Sequence, residues 1–187
     1  MLTRRDMVKL GIASAAIPAM AGKAVFAAPS AAVRLHKVVY DARIPASVAF
    51  GNRAQQLGAP VEAINGDVTA LWFNDLHFMW RNSKASVAGL TRPSSLFALE
   101  QMAHLAGRRV VFRAEHRTQA GGICTHRVAA PGGFVAFRDA SPYWPAHMAQ
   151  SIVRHAAPVS DHMRAQSMIA APAPDQNVLI SWIIAAA

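Results

Sequence analysis

Apolar and polar positions along residues 33–116 switch period several times, and each switch marks an element. Residues 33–40 are rich in β-branched side chains and read as a strand ending at Asp41. Pro45 opens a helical stretch over 46–57, and Gly58 stands where a helix C-terminus favours glycine. A short strand over 61–64 leads into the turn Asn65-Gly66-Asp67, with Asp67 placed to cap a helix over 68–81. On that helix Val68, Trp72, Leu76 and Met79 form a stripe suited to packing on a sheet. The unit then repeats. Residues 86–90 read as a strand, and Thr91-Arg92-Pro93-Ser94 starts a helix over 94–106 with Leu96, Leu99, Ala103 and Ala106 on its inner side. Gly107 ends it, and residues 108–116 form the next strand.

The second half is less regular. Residues 123–129 and 134–138 flank Ala130-Pro131-Gly132-Gly133 and predict a hairpin. Helices are expected over 142–155 and 160–170, a stiff Ala-Pro-Ala-Pro spacer over 171–174, and a last buried strand over 178–184. Three successive strand–helix crossovers argue for an α/β fold: a mainly parallel, three-layer sheet with flanking helices, extended by a C-terminal hairpin and helices.

The first 27 residues belong to another kind of sequence. Thr3-Arg4-Arg5-Asp6-Met7-Val8-Lys9 precedes a short apolar stretch over 10–20, then Lys23 and the small-residue run ending at Ala27. This segment resembles a twin-arginine export signal, with Met7 where that family most often has Phe. The apolar stretch is too short to span a bilayer, which needs roughly 20 residues. The resemblance implies a cleavable leader over 1–27, handling by the twin-arginine export machinery, and a single α/β domain over 28–187 working in the periplasm. It also implies export in the folded state, the route of cofactor enzymes and of subunits that escort a partner lacking its own signal.

Composition narrows the possibilities. An apolar fraction of 53% excludes a disordered chain, and the 160 residues after the leader are enough for one core. The ten apolar residues at 178–187 are too few for a membrane span, so none is expected after cleavage. Arg4, Arg5, Lys9 and Lys23 against Asp6 place +3 of the chain's +9 in the leader, leaving +6. The remaining basic residues show neither aromatic interleaving nor a binding motif, so no nucleic-acid partner is expected. With one cysteine, Cys124, the chain cannot close a disulfide on itself, bind a c-type haem or ligate an iron–sulfur cluster by cysteines. Gly-rich phosphate loops and the Gly-x-Ser-x-Gly elbow are missing from the sequence, and it names no cofactor.

Candidate chemistry is therefore positional. Ligands of open parallel sheets bind at the C-terminal edge of the strands, which here gathers Asp41, Asp67, Thr91, Arg92, Ser94 and His116. Thr91-Arg92-Pro93-Ser94 at a helix start suits a carboxylate or phosphate, although the same hydroxyls would serve as plain caps. Glu115 and His116 adjoin in sequence, but neighbours on a strand point to opposite sides. Cys124 and His126 share one side of a strand and, with His116, His147, His155 or His162, would offer sulfur and imidazole to zinc or copper; a small core cysteine is the competing reading. Trp72, Phe73, Phe78 and Trp80 cover more of one helix than a single buried side can, so they form a partner surface or are enclosed by the second half.

Two functional readings follow. The first is a non-catalytic accessory subunit that supplies the export signal to a larger, signal-less redox enzyme or dehydrogenase. The alternative is a small periplasmic enzyme or anion-binding protein using the strand C-terminal edge. Whether the chain is an enzyme stays open between them.

Overall fold

The computed structural model describes residues 35–119, 121–130, 133–154 and 178–186. The leader over 1–27 and the helix expected over 160–170 lie outside them. The elements run β1 (Leu35–Asp41), α1 (Pro45–Gln56), β2 (Val61–Ile64), α2 (Thr69–Leu71), a π-turn (Trp72–Leu76), α3 (His77–Asn82), β3 (Ser86–Thr91), α4 (Pro93–Leu105), β4 (Arg108–Thr118), β5 (Cys124–Ala130), β6 (Gly133–Asp139), α5 (Trp144–Arg154) and β7 (Val178–Ala186).

All seven strands join one sheet in the order β2-β1-β3-β7-β4-β5-β6. It is mixed, which corrects the expectation of a mainly parallel sheet. Only the β1–β2 and β1–β3 pairings are parallel; β7 runs against both β3 and β4, and β4-β5-β6 is an antiparallel meander. The cause is the last strand, which inserts between β3 and β4. Those two strands run in the same direction but never touch as ladder partners. Its run Val-Leu-Ile-Ser-Trp-Ile-Ile-Ala-Ala is almost wholly apolar, as a strand with both sides covered must be.

Alternate strand residues feed two apolar clusters. One holds Val38, Ala88, Leu90, Phe112, Ala114, Val128 and Ile183 with Phe50 and Ala54 of α1 and Trp144, Ala149 and Ile152 of α5. The other holds Val39, Val87, Ile180, Trp182 and Ile184 with Leu71, Leu76 and Trp80, and with Leu96, Leu99 and Ala103 of α4. The period of two places Val38 in one cluster and Val39 in the next.

The segment from Thr69 to Asn82 departs from the expected stripe. Its π-turn widens one helical turn, so the fully buried residues are Leu71, Leu76 and Trp80, while Trp72 and Met79 are only half-buried. The same turn carries Asp75 to the start of β1, where Lys37 Nζ lies 2.6 Å from its carboxylate and His36 Nε2 2.9 Å. Gly89 marks the tightest contact between β3 and β7. A Cβ there would stand 2.5 Å from the Trp182 ring and 2.7 Å from the Val39 carbonyl oxygen, so only glycine fits opposite that indole.

Candidate functional sites

The strand C-terminal edge assembles only part of its expected set. The Asp41 carboxylate is fully buried and held by Arg43: Oδ1 accepts from Arg43 N–H at 3.1 Å and Nε at 2.9 Å, and Oδ2 accepts from Nη2 at 2.8 Å. Burial by itself would raise this carboxyl, but the hydrogen bonds from Arg43, its charge and that of Arg92 outweigh it and hold the group below the usual carboxylate range. The Asp41 backbone N–H donates to Ser47 Oγ at 2.8 Å, and that hydroxyl donates on to the Leu90 carbonyl, tying the β1 terminus through α1 to β3.

Thr91 Oγ1 accepts from the Trp182 indole N–H at 3.0 Å, so it serves the core. Asp67 accepts the Thr69 N–H at 2.8 Å and is occupied in the turn before α2. Ser94 is exposed, and α4 begins on Arg92 with no side-chain cap. The plain-capping reading of these hydroxyls therefore does not describe α4; Ser95 instead donates to the Gly66 carbonyl at 2.9 Å. Arg92 Nε is buried without a partner among the described residues, and its charge is felt at Asp41.

His116 is not part of that edge set. It sits on β4, separated from β3 by β7, and its ring stacks 4.6 Å from that of Trp144 in the cluster with α1 and α5. Insertion of β7 moved it one strand further from Arg92 than a simple β3–β4 crossover would. Glu115 points the other way and pairs with Arg117 at 3.2 Å.

What His116 joins instead is a buried polar chain across three strands. His116 and His126 are register partners on β4 and β5, with their Nδ1 atoms 2.7 Å apart, and His116 Nε2 lies 2.8 Å from Ser181 Oγ on β7. Ser181 is fully buried and each histidine is 1% exposed. Trp144 covers His116, and Phe137 of β6 stacks on His126 with ring centroids 4.8 Å apart.

Two tautomer chains satisfy this geometry. In one, the Ser181 hydroxyl donates to His116 Nε2, His116 Nδ1–H donates to His126 Nδ1, and His126 Nε2 keeps its proton. In the other every arrow reverses. Either way His126 Nε2 ends buried without a partner among the described residues, a cost of about 1–3 kcal/mol.

Serine, base and orienting group stand in the order of an activated nucleophile. The electrostatics are those of a neutral network instead. Burial, then the neighbouring His126, pushes His116 down to about 3, and its Nδ1 faces an imidazole where a carboxylate would be needed to stabilise the imidazolium. His126 is also pushed down by burial, against the opposing charge of Asp139.

Cys124 follows the same logic. It is fully buried, and burial raises its thiol, aided by Asp139 and opposed by a Thr118 hydrogen bond, so it stays protonated. It shares a side with His126 as expected, but no three His, Cys, Asp or Glu residues converge as a metal site among the described residues. His147 is exposed on α5, while His155 and His162 lie outside the described residues.

The sequence marked His116 and His126 separately; the missing signal was Ser181, the single polar residue in an otherwise apolar strand. No helix among the described residues is long and apolar enough to cross a membrane. Comparison with protein-family models, curated proteins and solved structures returns no match, so no relative lends the chain a function.

Proposed function

We propose that the chain is an exported, non-catalytic accessory subunit that binds a larger, signal-less enzyme of the redox or dehydrogenase class and carries it through the twin-arginine route. The observation that carries this reading is a set of large apolar side chains left in solvent by helices whose other sides are buried. Phe73 is 63% exposed, Phe78 57%, Phe97 51% and Leu105 86%. Exposed large apolar side chains on otherwise buried helices are a feature of protein-binding surfaces. The neutral state of the buried histidines and Cys124 supports a binding role over a catalytic one. We place the helices in three layers, α1 and α5 on one side of the sheet and the α2–α3 segment and α4 on the other; the division of alternate strand residues between two clusters supports this.

The test is purification of the C-terminally tagged protein from its native periplasm, with co-purifying proteins identified by mass spectrometry. A stoichiometric enzyme without its own signal is expected, and a folded Phe73→Ser/Phe78→Ser variant should lose it. A chain recovered alone would overturn the reading, as would unchanged export of an Arg4→Lys/Arg5→Lys variant.

One observation favours the second reading, an anion site at the strand edge. Arg92 Nε is buried without a partner among the described residues, on a guanidinium whose charge is felt at Asp41, and that N–H is suited to donate to an acidic ligand. Calorimetric titration with inorganic phosphate and with acetate should show binding that Arg92→Ala abolishes. Equal affinity in the folded variant would dismiss it.

A further inference from the structure

Arg108 opens β4 with its guanidinium turned back under the end of α3. Nη2 donates to the Trp80 carbonyl at 2.7 Å and to the Ser83 carbonyl, closing the last turn of that helix. The side chain is buried, yet no carboxylate pairs with it among the described residues. Nη1 is buried without a partner among them too, as is the Trp80 indole N–H. A buried cation with neither a counter-charge nor a full set of acceptors is a net cost to the fold. Capping α3 needs only Nη2 and does not account for the second nitrogen.

The surroundings are basic. Arg81, Asn82, Ser83 and Lys84, which adjoin the carbonyls that Arg108 holds, are four successive exposed residues. Residues 76–99 and 101–114 contain no Asp or Glu, and neither does β7, whose Ala186 is the register partner of Arg108. The acids that bracket this stretch are committed elsewhere: Asp75 to Lys37 and His36, and Glu100 to Arg113 at 3.9 Å. Leu105, three residues before Arg108 at the end of α4, gives most of its side chain to solvent.

We infer that this end of the sheet, where β3 and β4 begin, is the docking site for an acidic peptide segment. One carboxylate reaches Arg108 Nη1, others pair with Arg81 and Lys84, and an apolar neighbour lies on Leu105. That the segment belongs to the enzyme partner rests on the accessory-subunit reading; that it is acidic rests on this site alone. Charge complementarity selects the occupant, because three cations stand here unopposed by any acid among the described residues. A peptide fits better than an anionic lipid surface. Headgroups form a flat layer that meets protruding groups, whereas a side-chain carboxylate on its own stem reaches a recessed N–H. Arginine held in this way, desolvated and ringed by weaker contacts, is typical of the residues that dominate protein interfaces.

Fluorescence anisotropy of the full chain with a labelled Glu-Glu-Leu-Glu-Glu-Leu peptide tests this. Saturable binding that weakens with added salt is expected. Arg81→Glu/Lys84→Glu should lower the affinity by roughly tenfold or more, since it sets like charges against the peptide. Arg138→Glu/Arg154→Glu makes the same change in net charge at exposed positions on β6 and α5 and should alter it by less than about twofold. Arg108→Lys keeps a cation under the α3 carbonyls but removes the spare guanidinium N–H, and should cost about fivefold; if that variant does not fold, the Arg81/Lys84 pair decides. Absence of peptide binding overturns the inference. So does an equal loss in the Arg138/Arg154 variant, or capture by phosphatidylglycerol vesicles that depends on Arg81 and Lys84 when the peptide is ignored. Co-purification of an enzyme without peptide binding would sink this inference and leave the accessory reading standing; peptide binding by a chain that purifies alone would do the reverse.

Discussion

The two ends of the sheet are managed in opposite ways. β2 is four residues long; Val61 leans on the cluster around α1, and Glu62 is bridged by Lys37 of β1 at 2.9 Å. Shortness and charge close that edge. β6 is seven residues long and mostly exposed, with Phe134 and Val135 on its two sides and Arg138 and Asp139 at its end. The contrast extends inward. The parallel half next to β2 keeps its polar groups at strand ends, paired as Asp41–Arg43 and Lys37–Asp75, whereas the antiparallel half next to β6 buries His116, His126 and Ser181 in mid-sheet. One half carries its charge at the rim; the other hides its polar network inside the sheet.

The sharpest way to break this contrast is to uncover the histidines. Trp144→Ala removes the ring stacked on His116 and should cost about 3–5 kcal/mol, read as a lower urea midpoint. A matching cut in the parallel half, Leu71→Ala, should leave the acid sensitivity described next unchanged.

Acid separates the halves by pH window. Both histidines are depressed in the folded protein, so they bind protons more readily once unfolded. The contribution of His116 is fully present above 6.5, the ordinary histidine value, and is lost progressively as pH falls from there toward about 3, by an amount on the order of a few kcal/mol; that of His126 is lost in the same direction, also beginning at 6.5. Asp41 and Asp75 are also depressed, but from an ordinary value of 3.8, so their contribution fades only below that region. Stability lost between pH 6.5 and 5 therefore reports the antiparallel half. In urea titrations across that interval His116→Leu should flatten the slope; an unchanged slope would show that the pair is charged or already wet.

Gly89→Ala tests the junction between the halves. Overpacking against Trp182 should cost about 1–3 kcal/mol. The smallest effect is expected at the protected edge. Glu62→Gln removes one partly exposed ion pair and should change stability by about 0.2–1 kcal/mol, less in high salt. Its greater consequence would be a less charged β2 edge, visible as altered solubility.

The parallel half was legible because each of its elements is specified locally: Pro45 and Pro93 at helix starts, Gly58 and Gly107 after their ends, and β-branched runs between them. The hairpin, α5 and the existence of β7 were legible too. The direction of β7 was not. A strand buried on both sides has the same apolar run whichever way it points, so nothing within 178–186 distinguishes insertion between β3 and β4 from addition at an edge. The π-turn escaped for a similar reason, since one widened turn shifts a stripe without changing composition. Among the candidate residues, Asp41 ends β1 and Arg92 follows β3, positions that strand ends make legible, and the spacing of Cys124 and His126 on β5 is legible from the period of two. Ser181 and the pairing of His116 with His126 depend on register between strands up to 65 residues apart, which no local pattern encodes.

The central position of β7 also bears on the order of events during synthesis. Leu90 pairs with Ser181 and Ala114 pairs with the same residue, so β3 and β4 both wait for a segment made long after them. A nascent chain can complete β1, β2 and β3 with their helices, and separately zip β4 to β5 and β6, yet the two pieces have no ladder between them until residues 178–186 arrive. Closing so large a loop makes the last step slow. While the ribosome is still short of it, β3 and β4 each present a raw edge, and a chaperone that shields those edges would set how much of the chain matures.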